Sequence, residues 1–154
     1  MKTVTAPDAV PLAQWMKDRI ALLADLPEDE LLALAKSARC VEFAPQETII
    51  HQGMTIDDLH LIFSGKAAVR VRPAPGKTLE RAVLGPGEIF GETSILEHGT
   101  AYASVRAEEA VTAYLIGQET LLAVVESNPR FKERLQALIL ARRAQTEKPA
   151  PAAA

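Results

Sequence analysis

The chain has 154 residues, of which 48% are hydrophobic and 24% charged, with a formal net charge of −3. This length and composition suit one domain with a sizeable core, and the weak negative charge gives no global attraction to nucleic acid or an anionic membrane. No apolar run approaches the length of a transmembrane helix, and the single cysteine, Cys40, excludes an intramolecular disulfide and fits a reducing interior. The N-terminal segment carries charges where a secretory signal needs apolar residues, so we expect a cytoplasmic protein.

The N-terminal part of the chain predicts a pair of helices. Residues 1–10 show no periodicity and are expected to be disordered. Pro11 suits the start of a helix, and apolar residues follow at three- and four-residue spacing. A second helix begins at the acidic run 27–30, so helices are predicted within residues 11–38. We interpret this pair as packing on a β core.

From Cys40 the pattern changes to short strands separated by turns. Residues 59–63 form an apolar run long enough for a buried strand, whereas 66–72 alternate as a half-buried strand does. Many short strands at regular spacing are typical of a β sandwich or a jelly-roll barrel. The predicted barrel covers residues 40–117, with strands at 40–43, 48–52, 59–63, 66–72, 78–84, 102–107 and 110–116.

The C-terminal part predicts two helices within residues 118–146, separated by Asn128 and Pro129. In the second helix, Arg142 and Arg143 are interpreted as basic residues near the negative C-terminal end. The Pro/Ala-rich segment 147–154 has no core-forming residues and is expected to be disordered.

The segment between the strands at 78–84 and 102–107 is the one that suggests a binding site. Gly85, Gly87 and Gly91 allow a close backbone approach to a ligand, and Glu92 places a carboxylate directly after the last of them. A helix start after such glycines presents free N–H groups to an anion. The residues alone therefore predict a phosphate cradle with an acidic neighbour, although similar turns occur in proteins that bind no phosphate.

The run Leu-Gly-Pro-Gly-Glu-Ile-Phe-Gly-Glu at 84–92, followed by Ala-Ser-Val at 103–105, resembles the phosphate-binding cassette of cyclic nucleotide-binding domains. Gly53 and the segment 57–67 resemble that family's glycine-marked hairpin, and the resemblance covers about residues 23–143. It implies a mainly β fold, a double-stranded jelly roll with flanking helices. It also implies a stand-alone sensor, not an enzyme, that responds to cyclic AMP or cyclic GMP by moving its C-terminal helices.

The resemblance also implies the site. Glu92 would accept a hydrogen bond from the ribose 2′-hydroxyl, and the alternative is a glutamate that only stabilises a helix start. The amides of Gly91, Thr93 and Ser94 would face ribose and phosphate. The residues predicted to flank the base are Val69, Val71, Val83 and Leu84. The predicted ligand-binding residues are Phe90, Gly91, Glu92, Thr93, Ser94, Ala101, Tyr102, Ala103, Ser104 and Val83.

One departure from the family pattern concerns the phosphate. The family places an arginine just before the Ala-Ser-Val strand, where this chain has Ala101 or, after a one-residue shift, Tyr102. A charge-assisted hydrogen bond is worth ~1.5–3 kcal/mol, so its loss weakens binding by roughly ten- to a hundredfold. The nearby basic residues that are weaker substitutes are Arg106, Arg70, Arg72 and Arg81.

Two functions remain open at this stage. The first is the cyclic nucleotide sensor, with a protein partner or a homodimer formed through the C-terminal helices. The second is a domain that has lost the nucleotide and serves as an interaction or dimerisation module. His51, His60 and His98 form no His-x-His pair, which disfavours a metal-dependent jelly-roll enzyme, and no cofactor is expected. Only 25 residues follow Pro129, too few for the DNA-reading domain that many family members carry.

Overall fold

The computed structural model describes residues 1–92 and 100–147. The predicted Thr93 and Ser94 sites therefore lie outside the described residues, as does the segment 148–154. The strands are β1 (Lys2–Val4), β2 (Arg39–Phe43), β3 (Thr48–Ile50), β4 (Asp58–Ser64), β5 (Ala67–Ala74), β6 (Lys77–Leu84), β7 (Ile89–Phe90), β8 (Ser104–Ala107) and β9 (Val111–Gly117). The helices are α1 (Ala9–Arg19), a 3-10 turn (Ala21–Leu23), α2 (Glu28–Ser37), α3 (Gln118–Ser127) and α4 (Pro129–Glu147).

The described strands form two antiparallel sheets that face each other. One sheet has the order β1-β2-β9-β4-β7 and the other has the order β3-β8-β5-β6. The chain changes sheet between most consecutive strands, as in a jelly roll, whereas β1 with β2 and β5 with β6 stay within one sheet. The prediction of a mainly β jelly roll with flanking helices is confirmed.

The five-stranded sheet is covered on both faces, and this explains the continuous apolar run in β4. Leu59 and Leu61 pack against the helices, while Ile62 belongs to the core between the sheets. Side chains of a strand alternate between its two faces, so a strand buried on both faces needs apolar residues at almost every position. The helices therefore attach to a sheet that supplies two separate apolar cores.

The expected disorder of residues 1–10 differs from the structure. Lys2 to Val4 pair with Glu42 to Cys40 at the edge of the five-stranded sheet, and α1 begins at Ala9. An edge strand offers unpaired N–H and C=O groups, so three residues can join it without an apolar periodicity of their own. The predicted strands 66–72 and 78–84 are also longer at the turn between them, since β5 continues to Ala74 and β6 begins at Lys77.

Helix α4 is anchored along one face. Phe131, Leu135 and Ile139 are spaced four residues apart and are buried in the core that the helices share with the five-stranded sheet. Arg142 follows Ile139 by three residues and therefore continues the same face by one turn. The helix in this way carries a basic side chain to the end of the barrel.

Candidate functional site

A cavity of about 40 Å³ lies where the end of α4 meets the core between the sheets. Its walls are mostly apolar, with one carboxylate and one guanidinium. Ligand pockets of this kind, apolar with a few convergent polar groups, are the usual binding sites of globular domains. The lining residues are Ile50, Ile56, Val69, Phe90, Gly91, Glu92, Ala101, Tyr102, Ala103, Val105 and Arg142.

The backbone at Gly91 fixes one wall of this cavity. Gly91 has φ +93°, a conformation that disfavours residues with a Cβ. A Cβ at this position would lie 2.8 Å from the carbonyl oxygen of Asp58 in the neighbouring strand β4. The preceding Phe90 stacks on His60 with ring centroids 4.5 Å apart. These contacts hold β7 against β4 and so fix the backbone position from which the side chain of Glu92 extends.

Glu92 is a buried acid with incomplete hydrogen bonding. Its exposed fraction is only 1%, and Nη1 of Arg142 lies 3.1 Å from Oε1 and 3.4 Å from Oε2. Only the contact with Oε2 has the geometry of a hydrogen bond, and no donor among the described residues is aimed at Oε1. Burial raises the pKa of the Glu92 carboxyl above 4.5, and the charge of Arg142 partly offsets this rise. Oε1 of Glu92 is therefore a buried acceptor that has an ion pair with Arg142 but, within the described part of the chain, no aligned hydrogen-bond donor.

Arg142 is a site residue that the sequence interpretation missed. Its side chain is 19% exposed and lines the cavity, and α4 continues beyond it to Glu147. The interpretation of Arg142 as a residue at the helix end is therefore wrong, because its side chain faces the barrel. The available signal was its place in the apolar periodicity of α4, where a charged residue on a buried face needs a partner.

Several predicted residues do meet at the cavity. Phe90, Gly91 and Glu92 line it on the β7 side, and Ala101 to Ala103 line it from the segment before β8. The N–H of Ala101 donates to the carbonyl of Met54 at 2.8 Å, and its carbonyl accepts from the N–H of Gly53 at 2.7 Å. The backbone of Ala101 is therefore used within the fold, and only its side chain faces the cavity.

Other predicted residues lie elsewhere. Ser104 is on the outer side of β8, where its Oγ accepts a hydrogen bond from the N–H of Gln52 at 3.2 Å. Val83 is 49% exposed and does not line the cavity, and neither the half-buried Val71 nor the buried Leu84 lines it. Val69 is the predicted base-flanking residue that does line it.

The weaker substitutes for the missing arginine do not line the cavity. Nε of Arg106 donates to the carbonyl of Gln46 at 3.2 Å, and Nη2 of Arg70 lies 3.1 Å from Oε1 of Glu108. Arg72 lines a separate groove with Ser104, and Arg81 is not among the residues of the cavity. Among the lining residues that the structure describes, Arg142 is the one with a full positive charge.

The described residues do not have the features of a metal site or of a membrane-spanning helix. They contain no group of three or more His, Cys, Asp or Glu side chains placed to hold a metal ion. Within the same ranges, none of the helices combines the length and the apolar character needed to cross a membrane.

Comparison with known proteins identifies the family. The family described as "Cyclic nucleotide-binding domain" matches residues 40–128. The cyclic AMP receptor protein of Thermus thermophilus is 37% identical over 118 residues, which cover 76% of this chain and 53% of that protein. The chain spans about half the length of the curated relatives that it matches.

Solved structures with the same fold have lower sequence identity. The regulatory domain of Toxoplasma gondii PKA, crystallised with cAMP, has a TM-score of 0.73 and 19% identity, covering 90% of this chain and 50% of that one. The regulatory subunit of a cAMP-independent protein kinase A from Trypanosoma cruzi, bound to guanosine, has a TM-score of 0.66 and 22% identity, covering 87% of this chain and 52% of that one. These two likenesses show the fold. Together with the family match across the barrel, they lead to one conclusion: the chain belongs to the cyclic nucleotide-binding domain family.

Proposed function

We propose that the chain is a regulatory module, not an enzyme, that binds cyclic AMP or cyclic GMP in the cavity beneath α4. The observation that carries this proposal is the buried carboxylate of Glu92, whose Oε1 has the ion pair with Arg142 but no well-aligned hydrogen-bond donor among the described residues. A buried acceptor is stabilised by an aligned donor, so a ligand hydroxyl placed there is favoured. A ribose 2′-hydroxyl supplies such a donor.

The remaining walls suit the rest of a nucleotide. Ile50, Ile56 and Val69 offer apolar surface for a base or for the carbon face of the sugar. Gly91 contributes backbone to the cavity wall, and its missing Cβ lets that backbone lie against the carbonyl oxygen of Asp58 in β4. The combination favours a ligand with one flat apolar part and one part rich in hydroxyls.

Binding requires the cavity to grow, and α4 is the wall that we expect to move. Ligand pockets have volumes of roughly 300–1,000 Å³. The cavity measures about 40 Å³, and Arg142 is the residue of α4 that lines it among those the structure describes. Among the described side chains of α4 beyond Ile139, none is buried, and Leu140 is 67% exposed. The Arg142–Glu92 pair thus holds the end of the helix, and a ligand that reorganises this pair shifts α4 between two arrangements.

The test is a thermal titration of the purified chain with cyclic AMP, cyclic GMP and guanosine. A ligand selective for the native state stabilises it by about 2.7 kcal/mol at a hundred times its Kd. For a domain of this size we expect the Tm to rise by about 5–10 °C. Glu92→Ala should abolish most of this rise, while the control Glu126→Ala, an exposed change on α3, should retain it.

An unchanged Tm at millimolar concentration of both cyclic nucleotides would contradict the proposal. That result would favour the alternative of an interaction or dimerisation module that works without a nucleotide. Leu140, exposed on α4, is the apolar side chain with which such a module would meet a protein partner or a second copy. A rise in Tm with guanosine alone would show that the cavity binds a nucleoside and does not bind a cyclic nucleotide.

A further inference from the structure

The ion pair between Arg142 of α4 and Glu92 brings a positive charge into the cavity of a chain that lacks the family's phosphate-binding arginine. We propose that Arg142 provides the positive charge for the ligand's phosphate, from the C-terminal helix instead of from the segment at Ala101 and Tyr102. The inference rests on the proposed function, because it assigns one residue's role for the same cyclic nucleotide. With Arg142 bound to the phosphate, the position of α4 depends on the phosphate as well as on the ribose.

The net charge of the cavity changes when a cyclic nucleotide enters. Without a ligand, the lining residues described by the structure contain one acid, Glu92, and one base, Arg142, so their charges cancel. A cyclic nucleotide adds one negative charge at its phosphate. The occupied cavity then holds two anionic groups, and a buried anion requires a cation or several donors nearby.

The chain offers few other cations for this place. Arg106 and Arg70 are bound to Gln46 and Glu108 on the outer side of their strands. Residues 93–99, which the structure does not describe, have the sequence Thr-Ser-Ile-Leu-Glu-His-Gly and so contain neither lysine nor arginine. Arg142 is therefore the one arginine or lysine that the described lining and this segment together supply.

A different role for Arg142 would be that of a simple latch, which leaves the cavity when the ligand enters. Departure of Arg142 would leave the carboxylate of Glu92 beside the phosphate with no cation between them. Like charges repel strongly where water is excluded, and Glu92 is 1% exposed. Charge balance thus favours an Arg142 that shifts but stays in the cavity.

The guanidinium group is suited to this dual contact. It is planar, keeps its charge at all physiological pH values, and has donors directed toward more than one edge. A single arginine can therefore bridge a carboxylate and a phosphate. Because Arg142 is rigidly linked to the buried residues Leu135 and Ile139 through one helix, a move toward the phosphate displaces the end of α4.

The experiment compares cyclic AMP with adenosine, which has the same base and the ribose 2′-hydroxyl but no phosphate. Calorimetry gives the ratio of the two affinities for the wild-type chain, for Arg142→Gln and for Arg142→Lys. A matched control is Arg130→Gln, which removes the same charge from an exposed position of the same helix. Melting curves without ligand show that each variant is folded.

We expect the wild-type chain to prefer cyclic AMP and Arg142→Gln to lose about ten- to a hundredfold of that preference, as the loss of a charge-assisted hydrogen bond predicts. Arg142→Lys should retain part of it, and Arg130→Gln should retain all of it. Tighter binding of both ligands by Arg142→Gln, with an unchanged ratio, would identify a latch and overturn the inference.

Two other outcomes separate this inference from the proposed function. If the wild-type chain binds adenosine as tightly as cyclic AMP, the phosphate contributes nothing to binding. That result would overturn the role of Arg142 but would leave the cavity as a ligand site. A wild-type chain that binds neither compound overturns both. Equal losses of preference in Arg142→Gln and Arg130→Gln would show a general effect of charge and would also overturn the assignment.

Discussion

Gly91 is the residue whose replacement tests the construction of the cavity wall most sharply. Its φ is +93°, and an added Cβ would lie 2.8 Å from the carbonyl oxygen of Asp58 and 3.4 Å from Nδ1 of His60. The Asp58 oxygen belongs to the backbone of β4, which pairs with both β7 and β9. Gly91→Ala therefore combines a strained backbone with a contact that only a shift of the sheet can relieve.

The two contributions can be separated with a matched variant. Gly53 has φ +89°, and its Cβ would meet no atom within 4 Å, so Gly53→Ala measures the cost of the backbone conformation alone. That cost is about 1–2 kcal/mol. Overpacking against a fixed neighbour adds ~1–3 kcal/mol, so Gly91→Ala should lower the free energy of unfolding by about 2–5 kcal/mol in total.

Urea denaturation of the two variants and the wild-type chain provides the measurement. We expect the midpoint of Gly91→Ala to fall clearly below that of Gly53→Ala, and the thermal midpoint to fall by about 5–15 °C from wild type. Equal destabilisation of the two variants would refute the reasoning, because it would mean that the approach of Gly91 to Asp58 imposes no constraint.

Two further predictions concern residues on either side of the cavity. Burial lowers the pKa of His60 from 6.5 to about 4, with the charge of Arg39 acting in the same direction. The unfolded chain then binds a proton that the folded chain resists, so stability falls as the pH drops from 6.5 towards 4, by about 3 kcal/mol in all. Chemical denaturation across this range should show that slope, and His60→Phe should lack it; an unchanged slope would contradict the assignment. Ser104→Ala should leave the affinity for cyclic AMP within about twofold, measured by calorimetry, because Ser104 lies outside the cavity.

The sequence predicted the fold well because the local signals agree with the tertiary structure. Strand alternation, turn glycines and the Asn128-Pro129 break placed most elements to within one or two residues. Two short strands were not predicted, β7 (Ile89–Phe90) and β1 at the N-terminus. β1 has only three residues and depends on the edge of β2 rather than on its own pattern. Such a strand forms because a neighbouring strand is available for pairing, and the local sequence pattern does not show that neighbour.

The site was predicted where one chain segment supplies it and missed where two segments meet. Gly91 and Glu92 are adjacent in sequence, so the motif that resembles the family marks them directly. Arg142 lies 50 residues away from Glu92, and only the docking of α4 brings the two together. The pattern around Arg142 showed a buried face but could not identify its partner.

Strand orientation explains the remaining differences. In β8, Val105 and Ala107 point inward, so Ser104 and Arg106 face outward, an alternation that the sequence already contained. The choice among Val69, Val71 and Val83 was harder, because the pairing of β5 with β6 shifts register after Val69. A bulge changes which side chains share a face, and its position is not apparent from composition.

The central claim is that a cyclic nucleotide binds between Glu92 and the end of α4. Amide NMR spectra of the isotope-labelled chain, recorded during a titration with cyclic AMP, test it most directly. We predict saturable shifts at Phe90 to Glu92, at Ala101 to Ala103 and in α4 around Arg142, with little change in the groove between α1 and α2 that Lys17 and Leu31 line. Shifts confined to that groove, or none at millimolar cyclic AMP, would contradict the claim.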